Sequence, residues 1–121
     1  KRRYAPNKTE VVNLVGDLEN RDVIIIDDMI DTAGTTVNAA EKAIENGARS
    51  VIGVATHALL SGEAIERLKK SPIKQFIFTD TVHVPEEKIL SNMRFVTVAG
   101  IFGEAIRRIY KGESVSSLFN F

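Results

Sequence analysis

Three carboxylates and three hydroxyls lie close together in one short stretch, Asp27, Asp28, Asp31, Thr32, Ala33, Gly34, Thr35 and Thr36. Gly34 lets a backbone come close to a ligand and adopt angles that side chains resist. The hydroxyls of Thr32, Thr35 and Thr36 add hydrogen-bond donors. Those features suit an anion, yet the acids repel one. The conflict disappears if the ligand has two ends. A phosphate would sit on the loop amides, while hydroxyls or a bound Mg²⁺ face the carboxylates. A sugar phosphate meets that description. Asp27 and Asp28 are adjacent, so on a strand they leave on opposite sides. One is expected to face the ligand and the other to orient backbone or metal-bound water.

The elements that must hold this stretch can be read from its flanks. Val23, Ile24, Ile25 and Ile26 form a β-branched apolar run without alternation. Such a run suits a strand buried on both faces of a parallel sheet. From Thr36 to Asn46, apolar positions at Val37, Ala40, Ala43 and Ile44 have helical spacing, and Gly47 is placed as the C-terminal cap. The acidic stretch therefore joins a strand end to a helix start. There, amides lack internal partners, the helix dipole is positive, and an anion is favoured. Open α/β sheets hold ligands at this kind of junction.

The rest of the chain repeats the alternation. Ser50 to Ala55 reads as a second parallel strand reached by a right-handed crossover. Ser61 is a candidate N-cap for a short helix over Glu63 to Lys69, and Ser71-Pro72 ends it. Gln75 to Thr79 and Phe95 to Val98 read as further strands, and Val11 to Val15 as one preceding the isoleucine run. Asp22 reads as a solvated edge residue. His57, at a strand end, reads as a structural hydrogen-bonding residue, Asp80 as a cap, and His83 as having no role. Ile101 to Tyr110 has the pattern of an amphipathic helix with Ile101, Ala105, Ile106 and Ile109 inward. Arg107 and Arg108 fall near its C-terminus, where cations are favoured. The result is an α/β fold in three layers, a mainly parallel sheet flanked by helices.

The run from Val23 to Thr36 resembles the phosphoribosyl-pyrophosphate (PRPP) loop shared by type I phosphoribosyltransferases and ribose-phosphate pyrophosphokinases. The opening Lys1-Arg2-Arg3 and the closing Ser114-Val115-Ser116-Ser117-Leu118-Phe119 narrow the likeness to the C-terminal part of the ribose-phosphate pyrophosphokinase family. The resemblance runs over essentially all 121 residues. It implies the type I phosphoribosyltransferase-like fold and transfer of the β,γ-diphosphoryl group of ATP to O1 of ribose 5-phosphate, giving PRPP and AMP. Mg²⁺ would be the cofactor. By the same likeness Lys1 and Arg3, in a flexible loop over residues 1–8, would act on the diphosphate. Asp31 to Thr36 would hold the 5-phosphate, and Asp27 and Asp28 the ribose hydroxyls. Ser114, Ser116 and Phe119, in a tail over residues 112–121, match an allosteric site for phosphate or ADP between subunits. The full-length family forms hexamers, and its preceding domain supplies most of the adenine pocket and the principal metal ligands. The 121 residues are thus expected to bind ribose 5-phosphate without turning over alone.

Composition bounds the alternatives. The length suits one domain with a core. Lys plus Arg equal Asp plus Glu at 16 each, so no general attraction to nucleic acid or membrane is implied. There is no cysteine, hence no disulfide framework or thiolate metal site, in keeping with a cytoplasmic protein. No apolar run has transmembrane length. The first residue is lysine, which suggests part of something longer. A phosphoribosyltransferase would use the same loop, but nothing resembles the hood over its nucleobase. A response-regulator receiver needs a lysine after its last strand, and none stands at a matching strand end here. A P-loop kinase is excluded because Gly-Lys-Ser/Thr is absent. A non-catalytic ribose-phosphate-binding module remains the alternative from a different class.

Overall fold

The computed structural model describes residues 16–119. Lys1, Arg3 and the strand expected over Val11 to Val15 lie outside that range, as do the last two residues of the tail. Four parallel strands, β1 (Asp22–Ile30), β2 (Ser50–Ala58), β3 (Ile73–Thr79) and β4 (Met93–Val96), lie side by side in chain order. Helices α1 (Gly34–Glu45) and α2 (Ala64–Lys70) connect the first three, and α3 (Ala99–Lys111) follows β4. Right-handed crossovers between sequential neighbours put the connecting helices on one face of a sheet. Here α1 packs on β1, β2 and α2. The expected parallel α/β sheet is thus what the chain forms.

The core lies under those helices. Val51, Gly53 and Ala55 of β2, Phe76 and Phe78 of β3, and Met93 of β4 are buried with Ala40, Ala43, Ala64 and Leu68 of the helices. Alternate residues of one strand share a face, which sets the Phe76 and Phe78 rings parallel with centroids 6.1 Å apart. Phe95 of β4 meets Phe78 at 5.8 Å. Gly53 is the register partner of Phe76, and a Cβ there would come within 3.1 Å of that ring. The aromatic layer therefore fills the space that the missing side chain leaves.

Several expectations need correction. The isoleucine run is not buried on both faces. Val23 and Ile25 pack on the core, but Ile24 is 59% and Ile26 77% exposed. A run without alternation marks two apolar faces, but not whether both are covered. On α3 the apolar stripe is real but outward: Ile101, Ile106 and Ile109 are 60–69% exposed, because no described element covers that face. β4 starts at Met93 and ends at Val96, two residues earlier than Phe95 to Val98, and Val98 instead precedes α3. The cap of α2 is Glu63 without a side-chain bond, not Ser61. Asp22 is not merely solvated: it accepts bonds from Arg49 and from the Ser50 hydroxyl at 2.7 Å. Gly47 does close α1. At φ 89° its amide reaches the Ile44 carbonyl while Ala48 reaches Ala43, the paired bonds that satisfy helix-end carbonyls. Gly112 closes α3 in the same way, through bonds to Ile109 and, from Glu113, to Arg108.

The arginines near the end of α3 do more than face its dipole. Arg107 and Arg108 both bind Glu104, and Arg108 also donates to the Ser114 carbonyl at 2.9 Å and to the Ser117 hydroxyl. These bonds fasten the tail to its own helix. Among the described residues no helix is long and apolar enough to cross a membrane.

Two outcomes follow from packing and charge. Phe76→Ala is expected to destabilise the fold by about 3–5 kcal/mol, read from the urea unfolding midpoint, because a fully buried aromatic leaves a cavity. Hydrogen bonds from Arg107 and Arg108 hold the Glu104 carboxyl down at about 2, from an ordinary 4.5, and those from Arg49 and Ser50 hold Asp22 at about 2 from 3.8. Folded values below the unfolded ones mean stabilisation that is complete above about pH 4.5 and drains away as pH falls toward 2. Unfolding midpoints measured across that range should drop, and Glu104→Gln should flatten part of the slope.

Candidate functional site

β1 runs further than the apolar residues alone imply, carrying Asp27 and Asp28 in the strand and ending at Ile30. Both acids are exposed. Each spends one carboxylate oxygen on the next backbone amide: Asp27 accepts from Asp28 at 2.8 Å and Asp28 from Met29 at 2.9 Å. Orienting backbone, the part expected of one acid, is thus done by both. Both carboxylates steady the local backbone.

After Ile30 the chain turns into α1. Ala33 takes the left-handed conformation, φ 65° and ψ 2°, and immediately precedes the helix. Side chains other than glycine rarely adopt that geometry, and such strain clusters at ligand-binding turns. Glycine at position 34 suggested that the special angle would fall there. It falls instead on its buried neighbour. Val37 is the first amide bonded back into the helix, to the Ala33 carbonyl at 3.0 Å. The amides of the first turn thus have no acceptor within the helix. α1 has no side-chain cap and no acid in its first turn. The first turn itself therefore adds no carboxylate to the positive end of the helix dipole. Asp31, Thr32 and Thr35 are exposed, whereas Thr36 is only 5% exposed.

The carbonyls on the way into this turn are all held from one side. Leu59 and Leu60 donate to Ile30 at 3.1 Å each, and Ser61 donates to Asp31 at 3.0 Å. Arg67, one turn into α2, donates through Nη1 to the Thr32 carbonyl at 3.1 Å and pairs through Nη2 with Glu63. Leu60 is itself left-handed at φ 52°, and Lys88 caps its carbonyl at 3.1 Å. Sequence reading missed Arg67. Nothing local links it to Thr32, 35 residues away.

Elsewhere along the strand ends, His57 is tied to the Thr81 hydroxyl at 2.7 Å, the structural role expected of it. Asp80 accepts from the Val98 amide at 2.8 Å ahead of α3, and bonds from Thr97 and Val98 keep its carboxyl below the usual range. In the tail, Ser114 and Ser116 bond each other through their hydroxyls, and Phe119 is exposed. Among the described residues no group of three His, Cys, Asp or Glu is gathered to cage a metal.

The left-handed Ala33 gives a direct test of the turn. Ala33→Val, which puts a β-branched side chain at a positive φ in a buried position, is expected to destabilise the chain by about 1–3 kcal/mol in thermal or urea unfolding.

This geometry has counterparts among known proteins. A family model described as the phosphoribosyl synthetase-associated domain matches residues 3–120. A ribose-phosphate pyrophosphokinase of Caldanaerobacter subterraneus subsp. tengcongensis is 51% identical over 119 residues, 98% of this chain and 38% of its own length. One from Aquifex aeolicus is 52% identical over the same shares. A crystal structure of phosphoribosylpyrophosphate synthetase from Mycobacterium smegmatis superposes with a TM-score of 0.81 at 34% identity, over 87% of this chain and 35% of that one. The chain thus spans 38% of the length of these curated relatives. A family model that matches residues 3–120, nearly the whole length, shows that the chain belongs to the phosphoribosyl synthetase-associated domain family.

Proposed function

We propose that this chain is the ribose 5-phosphate-holding part of a ribose-phosphate diphosphokinase. The observation that carries the reading is the entry to α1, where a left-handed Ala33 leads into a helix start without cap or acid. Successive amides beside a left-handed residue make a concave donor surface for an anion. The phosphate of the sugar sits on the amides of Asp31 to Thr36, with the exposed hydroxyls of Thr32 and Thr35 added. Buried Thr36 contributes its backbone. The ribose hydroxyls face Asp27 and Asp28, which lie at the end of β1 just before the turn.

In the reaction, O1 of the sugar attacks the β-phosphorus of ATP. The bond from that phosphorus to the α,β-bridging oxygen breaks, AMP leaves, and the O1 proton goes to solvent. Such transfers are catalysed by positioning and by charge stabilisation. By family likeness Lys1 and Arg3, outside the described residues, supply cations to the diphosphoryl group. Mg²⁺, where one or two carboxylates hold it, would complete its shell with water and substrate oxygens. The exposed Asp27 and Asp28 fit that light role, and the ion would neutralise phosphate charge. The remaining machinery, including the adenine pocket, belongs to a preceding domain in the family. The chain alone therefore binds sugar phosphate without synthesis. Ser114, Ser116 and Phe119 are proposed for an effector site for phosphate or ADP at a subunit contact in a cytoplasmic homo-oligomer.

Calorimetry on the 121-residue chain should show ribose 5-phosphate binding, and an AMP-release assay with ATP and Mg²⁺ should show none. Asp27→Asn should weaken ribose 5-phosphate by roughly tenfold, the worth of a hydrogen bond to a charged group. The same variant should leave inorganic phosphate unaffected. An equal loss for both ligands would move Asp27 out of the sugar site, and AMP release by the chain alone would overturn its dependence on a further domain.

A further inference from the structure

We infer that Arg67 is a positioning residue for the phosphate-binding turn, acting through the Thr32 carbonyl; the inference rests on the proposed sugar-phosphate site. In a trans peptide the C=O and N–H of one unit point in opposite directions. A donor that fixes a carbonyl therefore aims the next amide the other way. Three successive carbonyls are fixed here by the segment from β2 to α2: Ile30 by Leu59 and Leu60, Asp31 by Ser61, and Thr32 by Arg67. The amides of Asp31, Thr32 and Ala33 are thereby directed away from that segment.

The last of these units differs from the others. The first two are held by backbone amides, which any sequence can supply. The Thr32–Ala33 unit is held by one side chain, and it is the unit that leads into the left-handed Ala33. Without that bond, rotation of the unit would turn the Ala33 amide out of the anion's reach. Arg67 suits the task because its planar guanidinium binds two acceptors in fixed directions, here Thr32 and Glu63 at 3.1 and 3.3 Å. It also brings a positive charge near Gly34, whose absent Cβ would lie 3.5 Å from Nη1.

The test uses Arg67→Met, which keeps most of the aliphatic stem, with Glu63→Gln as control. Glu63→Gln removes the surface ion pair and leaves the Thr32 bond. Ribose 5-phosphate affinity by calorimetry is expected to fall roughly tenfold in Arg67→Met and to stay within twofold in Glu63→Gln. In ligand-free protein the Ala33 amide resonance should shift and exchange faster with solvent in Arg67→Met, at an unchanged unfolding midpoint. A purely structural role for α2 would move the midpoint and leave that amide alone. Wild-type binding with Arg67→Met within twofold of it would overturn the inference while the proposed site stood. Failure of the wild-type chain to bind would instead remove the proposed site, and the inference with it.

Discussion

The geometry of the turn into α1 depends on one set of cross-links: hydrogen bonds from the β2–α2 connection and α2 to the carbonyls at the end of β1 and just after it. A short loop between a strand and a helix has many conformations, and ordering it costs entropy for each residue fixed. Leu59, Leu60, Ser61 and Arg67 meet that cost from outside the loop. Leu60 is itself fixed by burial and by the Lys88 ammonium on its carbonyl. The rigidity of the turn is thus borrowed from an element more than 25 residues further along the chain. Similar support appears at the other end of the molecule, where Arg108 secures the tail through the Ser114 carbonyl.

Charge and backbone geometry then share the work at the turn. A helix start with neither a cap nor an acid in its first turn keeps its partial positive charge available. Three acids precede it, and two of them are occupied with the amide that follows each in sequence. Those bonds satisfy strand amides and leave the carboxylates exposed. Asp27 and Asp28 are therefore separated along the chain from the helix-start amides, the former before the turn and the latter after it. That segregation explains how a motif dense in negative charge can belong to a family of phosphate-handling proteins.

Much of this was legible in the residues. The apolar runs marked the strands, the spacing of Val37, Ala40 and Ala43 marked α1, and Gly47 marked its end, because each depends on local periodicity or a local backbone angle. The strand-to-helix position of the acidic stretch was legible for the same reason. What escaped depends on distance or on neighbours. Ala33, rather than Gly34, carries the left-handed angle because the surrounding bonds impose it against local preference. Arg67 could not be linked to Thr32 without knowing that α2 passes the turn. The stripe of α3 was legible as a pattern, but its direction was not, since periodicity says that a face is apolar without saying what covers it.

The agreement between chain order and sheet order bears on synthesis. Among the described strands each joins the exposed edge left by the one before it, so none of the four has to be inserted between two that have already paired. A polypeptide leaving the ribosome from its N-terminus can lay down such a sheet as it emerges. The cross-links that hold the turn before α1 would then form once α2 has cleared the exit tunnel, while β4 is still inside it.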